Sequence, residues 1–142
     1  MNNINIIIPA LEKNRYSEHG DLVPFGETTL LEWKISQVKK VKGIKDIYIT
    51  SSSNLIKSLC KKNDLKFLQR KPKIALAKLH RILGKKFKNE YLLWINPTAP
   101  FFAGKDIDDF IKKFKKNSRK NDSAVTCYRD QEYFFYKNKS LN

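Results

Sequence analysis

Cysteine, glycine, long apolar runs and acidic residues are all scarce in this chain, and each scarcity excludes something. Only two cysteines, Cys60 and Cys127, occur in 142 residues. They stand far apart with no metal-type spacing, and His19 and His80 are isolated, so neither a zinc site nor a disulfide framework is expected. Both cysteines read as reduced and mostly buried. The five glycines do not gather into a phosphate loop ending in Gly-Lys-Ser/Thr, nor into a three-glycine dinucleotide fingerprint after the first strand. That excludes a P-loop enzyme and a standard dehydrogenase. No histidine is paired with a nucleophile in a recognisable context, which argues against a hydrolase. The longest apolar stretch near the start, residues 6–11, is far too short to span a bilayer and lacks the flanks of a signal peptide. A cytoplasmic protein with no membrane partner is expected.

Acidic side chains number 14 against 29 basic ones, a net charge of +15. Lysines neutralise phosphates, so the excess raises the question of a nucleic-acid or other polyanion partner. Only five of the basic residues are arginine (Arg15, Arg70, Arg81, Arg119 and Arg129), whereas base-edge and bidentate phosphate contacts favour arginine. The lysines therefore read first as solvated helix faces, and nucleic acid is not the expected partner. A basic surface would still help to draw in a phosphorylated ligand.

A hydrophobic content of 41% is enough for the core of one domain spanning residues 1–142. Ile4-Asn5-Ile6-Ile7-Ile8, stopped by Pro9, reads as a central strand buried on both faces. Thr29-Leu30-Leu31-Glu32 has capping-box spacing, and Leu31, Ile35 and Val38 share a face, predicting a helix over 30–42. The stretch from Pro9 to Thr28 is too long for an idle connection. Residues 46–50 form a second strand, Ser51-Ser52-Ser53 a turn and cap, and Leu55, Ile56, Leu59 and Cys60 the inner face of a helix. Residues 66–68 suit a short edge strand, followed by a helix with Leu76, Leu79, Leu83 and Phe87 on one side. Residues 91–95 make another apolar strand. Asp106 can then cap a helix with Ile107, Phe110, Ile111 and Phe114 inward and Lys112, Lys113, Lys115 and Lys116 outward. Further strands are expected over 123–128 and 133–136. Alternating strands and helices predict a three-layer α/β/α domain with a mainly parallel, Rossmann-like sheet. Ligands of such sheets bind outside the strand carboxyl ends. Here that edge is built from the loops that start at Pro9, Ser51 and Asn96, and near Arg129.

A distributed set of segments carries a resemblance. Ile6-Ile7-Ile8-Pro9-Ala10, a loop with Arg15 and Ser17, then Pro24-Phe25-Gly26 and Thr29-Leu30-Leu31-Glu32-Trp33 resemble the opening of the sugar nucleotidyltransferases. More narrowly they resemble the acylneuraminate cytidylyltransferase family, which makes CMP-sialic acid and related CMP-sugars. Asp46-Ile47-Tyr48-Ile49-Thr50-Ser51 is similar to its second strand, and Arg70-Lys71-Pro72 with Ala75-Leu76-Ala77 to its Arg-Pro and Leu-Ala stretch. Leu92-Leu93-Trp94-Ile95-Asn96-Pro97-Thr98-Ala99-Pro100, with Asp106-Ile107-Asp108 behind it, resembles its Gln-Pro-Thr-Ser-Pro loop and the following helix. Asp122-Ser123-Ala124-Val125-Thr126 fits the next strand.

The resemblance implies the nucleotide-diphospho-sugar transferase fold and attack of a sugar hydroxyl on the α-phosphate of CTP with loss of pyrophosphate. Such chemistry rests on positioning and charge neutralisation. It implies CTP and an acidic sugar as partners, Mg²⁺ as cofactor, and leaves room for a homodimer. It assigns Ala10 and Leu11 to backbone contacts with cytosine, and Arg15 and Ser17 to the triphosphate, with Arg15 as the catalytic candidate. Arg70 or Lys71 would contact the nucleotide, and Asn96 and Thr98 would border base and ribose. The chain departs from the pattern at Leu11, Gly20 and Asp21, which stand where the family carries cations; Lys13 or Arg15 are the available substitutes. The family pattern also continues beyond Asn142 with sugar contacts, a dimerisation element and acidic metal ligands, for which Asp106, Asp108 and Asp109 are poor replacements. A short or truncated, catalytically incomplete member is therefore expected. A non-catalytic nucleotide- or polyanion-binding module, or a partner subunit with an aromatic tail over 133–136, is the other reading.

Overall fold

The computed structural model describes residues 4–127 and the two-residue strands Phe135–Tyr136 and Lys139–Ser140. Its centre is a four-stranded, wholly parallel sheet made of β1 (Ile4–Pro9), β4 (Asp46–Ser51), β5 (Lys66–Gln69) and β6 (Tyr91–Trp94), in the order β5-β4-β1-β6. Between β1 and β4 come a 3-10 turn (Gly20–Leu22), a hairpin of β2 (Pro24–Phe25) and β3 (Thr28–Thr29), and α1 (Leu30–Val38). Helices α2 (Asn54–Lys62), α3 (Leu76–Lys86) and α4 (Gly104–Asn117) follow β4, β5 and β6.

The β-branched run of β1 explains the layering. Alternate residues of a strand face opposite sides of the sheet. Ile4, Ile6 and Ile8 pack with Leu31 and Ile35 of α1, Ile56 and Cys60 of α2, and Ile107 and Ile111 of α4. Ile7 turns to the other side and meets Leu79, Leu83 and Phe87 from α3. The domain is thus the expected three-layer α/β/α sandwich, with β1 at its centre. Each fully buried isoleucine contributes about 1.5–3 kcal/mol. Thr29 and Glu32 form the expected capping box: Thr29 Oγ1 accepts from Glu32 N at 3.2 Å and Glu32 Oε2 accepts from Thr29 N at 3.3 Å. Ser53 caps α2 as expected, accepting from Ile56 N at 3.2 Å.

Several expectations are corrected. Helix α1 ends at Val38 rather than Lys42. Its last turn tightens through Lys40 N to Gln37 O and Val41 N to Val38 O, which buries Val41 and lets Lys42 N donate to Asp108 Oδ1 at 2.9 Å. Leu55 and Leu76 are exposed: the buried stripes of their helices run through Ile56 and Cys60 and through Leu79 and Leu83. Asp106 is not the N-cap of α4: it sits at the third helical position and accepts from Ala103 N at 3.2 Å. Residues 123–127 form no strand, and Val125 is 84% exposed. They run beside β6 without ladder hydrogen bonds, and β propensity alone does not make a strand. Cys127 is exposed; Cys60 is buried, and burial pushes its thiol up to about 11. Phe135–Tyr136 pairs antiparallel with Lys139–Ser140 and not with the main sheet. Tyr128, Arg129, Tyr133 and Phe134 lie outside the described residues. Among the described residues no helix is long and apolar enough to cross a membrane.

Candidate functional site at the carboxyl edge of the sheet

The winding of the chain reverses between β1 and β6, and the crevice outside the carboxyl ends of such neighbours is where open α/β sheets bind ligands. Four segments emerge there: Ala10-Leu11 after β1, Ser51-Ser52-Ser53 after β4, Arg70-Lys71 after β5, and Asn96-Pro97-Thr98 after β6. Backbone bonds knit the edge together. Ala10 N donates to Thr50 O, Arg70 N to Ser51 O and Ile95 N to Ile7 O, each at 3.0 Å.

The structure brings Ala10, Leu11 and Arg70 into one cluster with Asp21. The Arg70 guanidinium donates to Ala10 O at 3.1 Å. Leu11 N donates to Asp21 Oδ2 at 2.7 Å, and Asp21 N returns a bond to Leu11 O at 2.8 Å. Every backbone N–H and C=O of Ala10 and Leu11 therefore already has an internal partner, and base contacts there fall to the second lone pairs of the carbonyls. Asp21 is almost fully buried. Burial raises its carboxyl above the usual range, against the opposing pulls of Leu11 N–H and the Arg70 charge. Gly20 makes this closure possible: its φ is +49°, and a Cβ would stand 2.3 Å from Leu11 O.

Arg15 and Ser17 lie on the loop that this clasp closes. Asn14 Oδ1 accepts from Tyr16 N at 2.9 Å and Ser17 N at 3.0 Å, while Ser17 Oγ accepts from His19 N at 3.0 Å. The loop is folded on itself, as compact surface loops with adjoining ends are. Arg15 is exposed, its guanidinium 4.6 Å from the centre of the Tyr16 ring. Lys71 is exposed beyond Arg70, and Thr98 is exposed after β6. Asn96 accepts through Oδ1 from Trp94 Nε1 at 3.1 Å. An indole nitrogen only donates, so this bond fixes the amide and leaves Asn96 Nδ2 as a donor.

Two features were not foreseen. Glu12 Oε2 accepts from Ser53 Oγ at 2.5 Å, tying the loop after β1 to the cap of α2. Lys34, on the inward face of α1, is fully buried and donates to Ala99 O at 2.6 Å and Phe102 O at 2.8 Å. With Trp33 Nε1 on Pro100 O at 3.1 Å, it fastens the loop after β6 to α1. The available signal was periodicity: Lys34 stands three residues after Leu31 and four before Val38, on the buried stripe. Burial lowers the Lys34 pKa.

A recess of about 660 Å³ reaches these loops only at the one after β6, through Asn96, Ala99 and Phe102. It follows the open edge of β6, between Tyr91, Leu93, Phe110 and Phe114 and the segment around Val125. A smaller one of about 270 Å³ lies on the flank of the loop after β1, between Glu12, His19 and Leu55. Arg129, expected near the edge, falls outside the described residues.

The fit of Mg²⁺ can be tested on the donors present. Glu12 is bonded to Ser53 and Asp21 to Leu11. Asp108 receives Lys42 N and Asp109 pairs with Lys112 at 3.5 Å. Among the described residues no three His, Cys, Asp or Glu side chains converge. These residues do not fit a protein-held Mg²⁺ ion.

Comparison with known proteins places the fold. A CMP:2-keto-3-deoxy-manno-octonic acid synthetase solved in complex with CTP superposes with a TM-score of 0.70 at 9% identity, over 81% of this chain and 48% of its own. A cytidylyltransferase from Leptospira borgpetersenii serovar Hardjo-bovis (strain JB197) superposes with a TM-score of 0.67 at 20% identity, over 81% and 50%. The chain spans about half the length of these structures. No curated protein sequence matches it. At such identities the likeness speaks for the fold alone. A family model described as cytidylyltransferase, however, matches residues 21–141, from the buried Asp21 through β4, β5 and β6, and on that match the chain belongs to the cytidylyltransferase family.

Proposed function

We propose that the carboxyl edge binds CTP and that the protein to which these residues belong transfers CMP to an acidic sugar, an acylneuraminate or a related keto-acid sugar. The single observation that carries this reading is Arg70, a guanidinium held half-buried at the strand ends within reach of Ala10 O, in a chain of the cytidylyltransferase family. The synthetase neighbour, whose structure holds CTP and whose name specifies a keto-acid sugar, supports it. In the reaction a sugar hydroxyl oxygen bonds the α-phosphorus and releases its proton to solvent. The α–β phosphoanhydride breaks, and pyrophosphate leaves with the bonding pair. This chain's residues contribute placement and charge: Arg70 at the end of β5, Asn96 Nδ2 as a donor past β6 on the other side of β1, and Arg15 from the exposed loop toward the phosphates.

Thermal stabilisation by CTP, UTP, ATP and GTP, with and without Mg²⁺, tests the nucleotide site, since a ligand that binds only the folded state raises its stability. A CTP-selective shift is expected; equal shifts, or none, would remove the proposal. Pyrophosphate release with CTP and a keto-acid sugar tests transfer, and Arg15→Ala is expected to abolish it.

One observation favours a second reading, a polyanion-binding module. Helices in this sandwich run against the strands, so their carboxyl ends collect at the amino edge of the sheet, opposite the candidate site. Exposed Lys40, Lys42, Lys85, Lys86, Lys116 and Lys120 gather there. The local carboxylates Glu90 and Asp46 are already paired with Lys45 and Lys66, at 3.0 and 2.7 Å. Binding to heparin that weakens steeply with salt supports this reading.

A further inference from the structure

The loop after β6 is fastened to α1 at successive carbonyls. Lys34 Nζ donates to Ala99 O at 2.6 Å and to Phe102 O at 2.8 Å, and between them Trp33 Nε1 donates to Pro100 O at 3.1 Å. The connection continues into the candidate site. Ala99 N donates to Asn96 O at 3.3 Å, and Asn96 Oδ1 accepts from Trp94 Nε1 at 3.1 Å. Asn96 is thus fixed through its backbone from the clamped end of the loop and through its side chain from β6. Pro97 and Pro100 remove further backbone freedom. At the far end, Gly104 lies so close to α1 that a Cβ would stand 3.2 Å from Gln37 O. Stability alone does not call for a lysine in this place. The residues around it on α1, Leu31, Ile35 and Val38, are buried and apolar, and Lys34 is buried with them. Burying an ammonium is costly, and a loop standing off α1 would turn its carbonyls to water. What the lysine holds explains its presence.

We propose that Lys34 is a positioning residue for the nucleotide: with Trp33 it holds the loop after β6 in its binding shape, so that Asn96 Nδ2 is a preformed donor at the carboxyl edge. Lys34 does this from beneath the loop, without touching the ligand. The inference rests on the nucleotide reading and deepens it, because it names the element that shapes one wall of the site. Its physical basis is preorganisation. A loop that is ordered before the ligand arrives spares binding the entropy of ordering it. Asn96 gains most from this, since its Oδ1 is already occupied and only Nδ2 is left to offer. A displacement of the loop would carry that one donor away from the edge.

The chain supplies its own reporters, because its two tryptophans both donate to this loop, Trp33 to Pro100 O and Trp94 to Asn96 Oδ1. The test is CTP titration of the whole chain, followed by calorimetry and by the two indole N–H signals in proton–nitrogen NMR spectra. CTP is expected to shift the Trp94 signal and to leave the Trp33 signal in place, since the clamp is formed beforehand. Lys34→Met and Trp33→Phe, the latter keeping a ring beside Phe25, are each expected to bind CTP about tenfold more weakly. Leu83→Ala, which removes core contacts on the other face of the sheet, is expected to melt lower and bind CTP unchanged. Unaltered affinity in both clamp variants overturns the positioning role and leaves the nucleotide reading standing. So does equal weakening in Leu83→Ala, for affinity would then follow stability alone, and so does a CTP-induced shift of the Trp33 signal. CTP binding that leaves the Trp94 signal in place removes Asn96 from the site and the clamp's role with it. Absence of CTP binding to the unsubstituted protein overturns both. Trp33→Phe keeps the test decisive if Lys34→Met does not fold.

Discussion

Single buried residues carry much of the conformational demand at the carboxyl edge. Gly20→Ala would combine a left-handed backbone with a Cβ 2.3 Å from Leu11 O, so the clasp must open. Urea denaturation is expected to show a loss of more than about 1 kcal/mol. Lys34→Met keeps the length of the side chain but leaves the Ala99 and Phe102 carbonyls without their donor. The expected loss is about 1–3 kcal/mol, read by the same method. Asp21 also imposes a pH dependence. Because burial raises its folded pKa above the ordinary 3.8, the folded state holds this proton through a window in which the unfolded chain has already lost it. Stability from this group therefore falls as pH rises through that window. Asp21→Asn is expected to flatten the curve of melting temperature against pH there; an unchanged curve would show that Asp21 is not the group responsible.

At the scale of elements, α1 does two jobs. Its first turn is closed by Thr29 and Glu32, and its inward face both builds the core through Leu31 and Ile35 and holds the loop after β6 through Trp33 and Lys34. Thr29→Ala is expected to cost about 1 kcal/mol, visible as a lower melting temperature. Helix α4 packs a narrow apolar stripe on the sheet, with Ile107 and Ile111 innermost. Ile107→Ala is expected to cost about 2–5 kcal/mol, measured by urea unfolding. These elements were legible because capping and periodicity act locally. The exposure of Leu55 and Leu76 was not legible, since periodicity marks an apolar face but not which of its residues a neighbouring layer covers. Residues 123–127 were misread for a related reason: a strand exists only through its partner, and here nothing among the described residues pairs with them.

A group of exposed lysines stands at the edge opposite the one that carries Arg15, Arg70 and Lys71. Lys40, Lys42, Lys85, Lys86, Lys116 and Lys120 collect at the amino edge because they stand at or just past helix carboxyl ends, where they also complement the helix dipoles. The nucleotide loops emerge at the other edge. Reversing Lys85 and Lys86 to glutamate is therefore expected to weaken salt-sensitive heparin binding while leaving CTP-induced thermal stabilisation unchanged. Loss of the CTP response in that variant would show that the two edges are not independent.

The opening scarcities now have distinct meanings. The lack of glycine clusters excluded the common phosphate loops before any fold was known, and the isoleucine run of β1 determined a central strand in a parallel α/β sandwich, because burial on both faces admits little else. The ordered segments also pointed to cytidylyltransferases, and the family match covers most of the chain. Only the tertiary structure decided that Leu11, Gly20 and Asp21 form a closed clasp and that Arg70 meets Ala10 and the Asp21 charge. The reason is distance along the chain. Helix caps and apolar periods act between near neighbours, whereas Arg70 and Asp21 are brought within electrostatic reach only by the parallel pairing of β5, β4 and β1.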